Sequence, residues 1–196
     1  MKKIITFLLA SLFVGILSAS EKAKGFNEID SMGQEQSLEA YKGKIVAIEF
    51  VNFKCPFVKK HYKSNNMQNL QKKYTSEGVI WLTVCSSAEG KQGYMTDDQI
   101  NKALLDSGLG STAYLVDSDG SMGKSYGAKT TPHMFIVDKE GSLAYRGAID
   151  SVNSTKSSDI AGATNYVSKA LDELLAGKAV SEPKTRPYGC SVKYAK

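Results

Sequence analysis

The stretch from Val51 to Tyr62, VNFKCPFVKKHY, sets a cysteine and a proline between an apolar run and a lysine-rich one. A Cys-Pro pair after an apolar run reads as the mouth of a helix, because proline suits the first helical position, where a missing N–H costs nothing. Cys55 would then be the N-cap, its sulfur within reach of the free N–H groups of Phe57 and Val58. The helix dipole adds partial positive charge at that end, and Lys54, Lys59 and Lys60 add full charges nearby. All of these favour thiolate over thiol, and such settings bring a cysteine pKa from about 8.5 down to roughly 3.5–7.5. A thiolate is the form that attacks disulfides and peroxides. The alternative is a small buried hydrophobe, as free cysteines often are; the strand, Cys-Pro, helix context favours reactivity. Val58 stands where a Cys-x-x-Cys motif would have its second cysteine, which excludes a local two-cysteine mechanism.

A partner must therefore come from elsewhere. The other cysteines are Cys85 and Cys190, and an odd count allows at most one internal disulfide. Cys190 lies in RPYGCSVKY, past the last expected helix. An extended tail of that length spans at most roughly 45 Å, ample for a small domain. Gly189 gives the chain before it freedom to turn. Cys190 is the leading partner; Cys85, at the end of the apolar VIWLTVC, reads more simply as a packed thiol but stays open, as does a thiol from outside the chain. His61, six residues after Cys55, falls off its helical face and is expected in solvent. His133 is expected near the site as a satisfied strand histidine. A copper site from Cys55, His133 and Met134 has soft ligands but no supporting spacing, so neither metal nor cofactor is expected.

The elements that must position these residues are legible in outline. FNEIDSMGQEQSL reads as a short hairpin turning at Gly33, and Ile45 to Val51 as a strand buried on both faces. Helix starts at Pro56, breaks at Ser64 to Asn66, and resumes with Met67, Leu70 and Tyr74 as its apolar stripe. Val79 to Cys85 is the next buried strand. TDDQINKALLDSG then carries a capping box at Thr96 and Gln99, with Gly108 as its stop. TAYLVD is a third strand. TTPHMFIVDKEGSLAYRGAI reads as strand, turn and strand, and Val167, Ala170, Leu171, Leu174 and Leu175 stripe a last helix ended by Gly177. Strands alternating with helices predict an α/β fold with a mixed, mainly parallel central sheet covered on both faces, and an antiparallel hairpin at one side. Active residues of such sheets gather beyond the carboxyl ends of the strands, where this order places Cys55 and Cys85.

The first residues, MKKIITFLLASLFVGILSAS, have the anatomy of a cleaved signal: two lysines, an apolar run too short to span a bilayer, and small residues after it. The expected division is a signal over 1–20, one domain over 21–178 and a tail over 179–196 that carries Cys190. A periplasmic or secreted location follows, with no membrane span once the signal is removed. The formal charge of +5 is too mild to argue for nucleic acid.

IVAIEFVNFKCPF and KTTPHMFIVDKEGSLAYRGAID, with LEAYKGKIVAIEF and SSAEGKQGY, resemble the thioredoxin superfamily, and most of all its redoxins of the alkyl hydroperoxide reductase and thiol-specific antioxidant type. The resemblance runs from about Gly25 to Tyr194 and implies a thioredoxin-like fold. It implies that Thr131 and Pro132 form a Thr–cis-Pro pair whose backbone faces the cysteine and, with Phe57, binds an extended substrate chain. It places Glu49, six residues before Cys55, where thioredoxins bury an acid beneath their cysteines; such a carboxyl has a raised pKa and can move protons. The periodicity flags Glu49 independently, as a charge inside an otherwise apolar strand, and the other reading is a glutamate paired to a lysine at a sheet edge. Two activities are in keeping with the resemblance. One is thiol–disulfide exchange with protein thiols or disulfides, resolved by Cys190 and renewed by a thiol reductant. The other is a thiol peroxidase acting on a peroxide, for which Asn52 stands where the family has threonine. A non-catalytic module using the Pro132 groove is the reading outside enzymes.

Overall fold

The computed structural model describes residues 21–196; the expected signal lies outside these residues. Among them no helix is long and apolar enough to cross a membrane.

The chain begins with β1 (Asn27–Ile29) and β2 (Glu35–Ser37), an antiparallel hairpin whose turn uses Gly33 at φ 78°. β3 (Val46–Phe50) leads into α1 (Pro56–Lys63) and α2 (Asn66–Ser76). The break between these helices falls at Asn65, the single non-glycine residue with positive φ among those described. β4 (Ile80–Cys85), α3 (Asp97–Ser107) and β5 (Ala113–Val116) follow. The α3 capping box of Thr96 and Gln99 forms, and Gly108 ends the helix in the left-handed region. After α4 (Ser121–Tyr126) come β6 (Thr130–Thr131), β7 (His133–Val137), β8 (Leu143–Gly147) and α5 (Tyr166–Leu175), and the tail contributes β9 (Cys190–Ser191).

The central sheet has the order β5-β4-β3-β7-β8, parallel across its first three strands and antiparallel across the rest. Strand periodicity sorts its side chains into two layers. Val46, Ile48 and Phe50 meet Leu82, Leu115, Phe135 and the α4 residues Met122 and Tyr126. Ala47, Trp81, Met134, Ile136 and Tyr145 meet Met67, Leu70 and Tyr74 of α2 and Val167, Ala170 and Leu171 of α5. Beyond the ends of β3 and β4 lies a third apolar cluster, holding Val51, Cys55, Val58, Cys85, Ile100 and Tyr114.

α4 departs from the sequence reading, which has no helix there. Six residues cannot show an apolar period. The helix is built instead by the buried Asp117, whose carboxylate accepts from the amides of Met122 at 3.1 Å and Gly123 at 2.7 Å.

Candidate active site

Cys55 caps α1 from an extended backbone (φ −70°, ψ 128°), with Pro56 as the first helical residue. The loop feeding it is pinned by the buried Asn52, whose carbonyl oxygen accepts from the Lys54 amide at 2.9 Å and whose amide donates to the Gln92 carbonyl at 2.9 Å. Gly93 packs so tightly on the Asn52 side chain that a Cβ there would lie 2.4 Å from it. These contacts commit the amide of Asn52 to holding the loop.

Cys55 has no exposed surface. Its Sγ lies 2.8 Å from Cys190 Sγ and 3.0 Å from the carbonyl oxygen of Thr131. Burial opposes ionisation of Cys55. The Cys190 thiol, the amides of Val58 and Cys190 and the Thr131 side chain outweigh it, so the thiol lies below its ordinary range. Cys190 moves the other way, pushed up to about 11 by burial and by the sulfur beside it. The pair therefore shares its proton unequally, with the thiolate on Cys55.

Three parts of the expected charge environment differ. Cys55 makes no regular capping hydrogen bond to the first turn, although the Val58 amide still favours its thiolate. Lys60 is not a free charge beside the sulfur: it is fully buried, with Nζ donating to Asp150 Oδ2 and to the Val152 carbonyl, each at 2.9 Å. His61 is not in solvent: it is buried, with Nδ1 2.9 Å from the Asn66 amide nitrogen and Nε2 3.4 Å from Tyr188 Oη. Burial, reinforced by Lys60 and opposed by Asp150, lowers its pKa to about 4. Helix spacing put His61 off the face of Cys55, and chain proximity put Lys60 among the charges near the sulfur; neither could show that Asp150, Val152 and Tyr188 cover that face.

Cys190 reaches Cys55 because the tail adds a strand to β6, pairing Thr131 with Cys190 and Thr130 with Ser191. The Thr131–Pro132 bond is cis. Gly189 sits at φ 133°, where a Cβ would stand 2.1 Å from the Thr131 oxygen, so glycine is required for this approach. Phe57 lies on the same side, its ring 5.8 Å from that of Tyr188. Together with Thr130, Asp150, Arg186 and Tyr188 it lines an open cleft of about 620 Å³.

Glu49 shares the face of Ala47 and points beneath the helices, fully buried. Among the described residues no lysine pairs with it. Neutral donors surround it: Tyr62 Oη at 2.9 Å, Trp81 Nε1 at 3.1 Å and Gln71 Nε2 at 3.3 Å. Burial raises its pKa to about 7, against the lowering effect of those three bonds. Tyr62 also packs its ring on Phe53 at 5.0 Å, and both lie against the cluster that holds Cys55.

Cys85 is buried in that cluster too, with its Sγ donating to the Gly93 carbonyl at 3.5 Å. His133 is buried, its Nδ1 accepting from the Lys129 amide at 3.2 Å. Its pKa falls to about 4 through burial and the nearby Lys129 and Arg146. Among the described residues no group of three His, Cys, Asp or Glu side chains is arranged to hold a metal ion.

The sequence reading passes over Asp150 and Tyr188. Asp150 is a lone acid directly after the apolar pair Ala148–Ile149, the kind of signal that singled out Glu49. Tyr188 carried no signal beyond being an aromatic in a polar tail.

No curated protein matches the chain. An uncharacterised conserved protein from Geobacillus kaustophilus is similar at 26% identity and TM-score 0.78, covering 90% of this chain and 92% of its own. A hypothetical protein from Sinorhizobium meliloti 1021 superimposes with TM-score 0.75 at 24% identity, over 90% and 94% of the two chains. A putative thiol:disulfide interchange protein DsbE from Chlorobium tepidum shares the fold at 21% identity and TM-score 0.51, over 65% and 82%. The fold is thus thioredoxin-like, as its mixed sheet and N-terminal hairpin indicate. The Redoxin model matches residues 18–164, three quarters of the sequence, and the chain belongs to the Redoxin family.

Proposed function

We propose that this chain is an exported thiol–disulfide oxidoreductase of the thioredoxin type whose redox couple is Cys55 and Cys190. The observation that carries the reading is the contact of the two sulfurs at 2.8 Å, with the thiolate favoured on Cys55 and the proton on Cys190. A low-pKa thiol is populated as nucleophile and is a good leaving group, and a neighbouring thiol can close the disulfide. In the reductive direction the Cys55 thiolate attacks a partner disulfide. One partner sulfur leaves as a thiolate and the other stays bound to Cys55. Cys190, losing its proton as it attacks, displaces the second partner sulfur and leaves the Cys55–Cys190 disulfide. One reductant thiol opens that disulfide, binding to Cys55 and freeing the Cys190 thiol, and a second displaces Cys55, so that both thiols return and the reductant leaves as its own disulfide.

Thr131 and Pro132 frame the site from the β6 side, and Phe57 faces the cleft beside it. Glu49, poised near neutral pH, would store and return the proton that the exchange moves. Export rests on the N-terminal pattern of lysines, apolar run and small residues.

Peptide mapping without reductant tests the couple. A Cys55–Cys190 cross-link after mild oxidation is the expected result. A mature protein in which these two never link, whatever the redox buffer, overturns it. The peroxidase reading is weakened by the commitment of Asn52 to its loop bonds and by the cover over Cys55. Peroxide consumption that disappears in Cys55→Ser would restore it.

A further inference from the structure

The tail that delivers Cys190 is tied to the helix that carries Cys55 through one buried carboxylate. Asp150 is almost wholly buried. Its Oδ2 accepts from Lys60 Nζ at 2.9 Å, Lys60 being on α1, the helix that Cys55 caps. Its Oδ1 accepts from the Val152 amide at 3.0 Å and from the hydroxyl of Tyr188, two residues before Cys190. The Tyr188 ring lies over Lys60 Nζ at 5.5 Å, and His61 Nε2 approaches the same carboxylate at 3.8 Å. The hydrogen-bond partners of Cys55 Sγ are the Thr131 carbonyl and Cys190, and this group is separate from them.

The rest of the tail is seated by backbone pairing and by side-chain bonds away from Asp150, among them Thr185 Oγ1 accepting from the Ala148 amide at 2.9 Å and Tyr194 Oη donating to the Ala128 carbonyl at 2.9 Å. Arg146 exchanges backbone hydrogen bonds with Pro183 and Thr185, and Val192 donates to Lys129. Glycines make the room: a Cβ on Gly147 would meet Thr185, and one on Gly120 would meet the ring of Tyr194. Strand pairing of this kind is what any extended chain uses to join an exposed edge. With β9 in place, the Thr131 edge is occupied and Cys55 is covered. With Cys55 at 0 % exposure under this arrangement, contact of an outside disulfide with that sulfur requires the cover to move.

We propose that Asp150, Lys60 and Tyr188 form a positioning latch that holds the tail strand across Cys55, setting both the effective concentration of Cys190 and the access of an outside chain to the nucleophile. It deepens the redox-couple reading above and rests on it for the first of its two consequences. A buried carboxylate holding two donors from separate segments is costly to break on one side, since the remaining charge is left unpaired. Removing the Tyr188 hydroxyl is the milder cut: it leaves the Lys60–Asp150 pair whole and frees the tail alone.

The test uses the mature chain in two arms. In the first, wild type and Tyr188→Phe are equilibrated in glutathione buffers. Closing the internal disulfide takes two electrons and two protons from the sulfur pair and gives them to one glutathione disulfide, which leaves as two glutathione thiols. The latch requires the effective concentration of the pair to fall by about tenfold in Tyr188→Phe, the factor set by losing one hydrogen bond to a charged group. In the second arm, iodoacetamide labels Cys55 in the Cys190→Ser background, and adding Tyr188→Phe speeds labelling by a similar factor. Tyr126→Phe is the control, since it removes a hydroxyl that donates to the Lys24 carbonyl at 2.6 Å; it should leave both readouts unchanged. Asp150→Asn extends the series if its circular dichroism matches wild type. Equal labelling with and without the Tyr188 hydroxyl overturns the latch. Failure of the internal disulfide in wild type overturns the redox couple instead, while the labelling arm still decides the latch.

Discussion

Cys55 and Cys85 are two cysteines in one apolar cluster at the carboxyl ends of adjacent parallel strands, and both are buried. Cys55 caps a helix, faces the Thr131 carbonyl and touches a second sulfur. Cys85 ends a strand and gives its S–H to the Gly93 carbonyl. Burial alone does not make a reactive thiol: burial and the Thr131 carbonyl favour the neutral form of Cys55, and the Cys190 thiol with the amides of Val58 and Cys190 outweighs them. What separates the two is the set of groups within hydrogen-bond reach of each sulfur. The backbone path sets that: β3 runs into a helix N-terminus, while β4 runs into a loop.

Serine substitutions break the comparison most directly. Cys55→Ser should lower disulfide exchange by about a thousandfold or more, as loss of a catalytic nucleophile does, whereas Cys85→Ser should leave it within about threefold, within the scatter of residues outside the machinery. Insulin reduction, or exchange with a chromogenic disulfide, measures both. A Cys85 variant as inactive as the Cys55 variant would erase the distinction.

The glycines beside each sulfur sharpen it. Gly189→Ala puts a Cβ against the Thr131 oxygen from an unfavourable φ. It should lower the effective concentration of Cys190 at Cys55 by about tenfold to a hundredfold, corresponding to the 1–3 kcal/mol of such backbone strain. Gly93→Ala, at φ 99° beside Asn52, carries a similar steric conflict. It should cost stability in a denaturant titration while leaving the sulfur couple in place.

Glu49 supplies a pH test. Its folded pKa of about 7 lies above the ordinary 4.5. Between those values the folded chain holds a proton that the unfolded chain has released. Stability therefore falls as pH rises through this window and levels off above it. The loss amounts to about 3 kcal/mol. Urea titrations from pH 4 to 8 should show this component in wild type and lose it in Glu49→Gln. An unchanged slope in the variant would assign the dependence elsewhere.

The smallest effect belongs to the packed thiol. Cys85→Ala removes one buried sulfur and should cost about 1–2 kcal/mol of stability, in line with small cavities in cores. The pH dependence of Cys55 alkylation should not change.

Much of this molecule was readable along the chain. The stripe of α5, the capping box at Thr96 and Gln99, the break at Asn65 and the start of α1 at Pro56 are local features, set by periodicity and by end chemistry. The odd charge of Glu49 in an apolar strand marked it for the same reason. α4 was not readable, because its start is held by a carboxylate outside the helix. His61 was misread as open to solvent and Lys60 as a charge beside the sulfur, since the segments that bury them lie about 90 and 127 residues further on.

The sequence by itself determined that Cys55 caps a helix, that no second cysteine lies in its first turn, and that the carboxyl ends of the buried strands converge near it. These follow from neighbours in the chain, where hydrogen-bond registry and side-chain period act over a few residues. Only the tertiary structure decided which sulfur meets Cys55 and what holds it there. That depends on β9 pairing with β6, on the room left at Gly189, and on a buried carboxylate joining α1 to the tail. Such contacts join segments distant in the chain, so their geometry is settled by packing rather than by local preference.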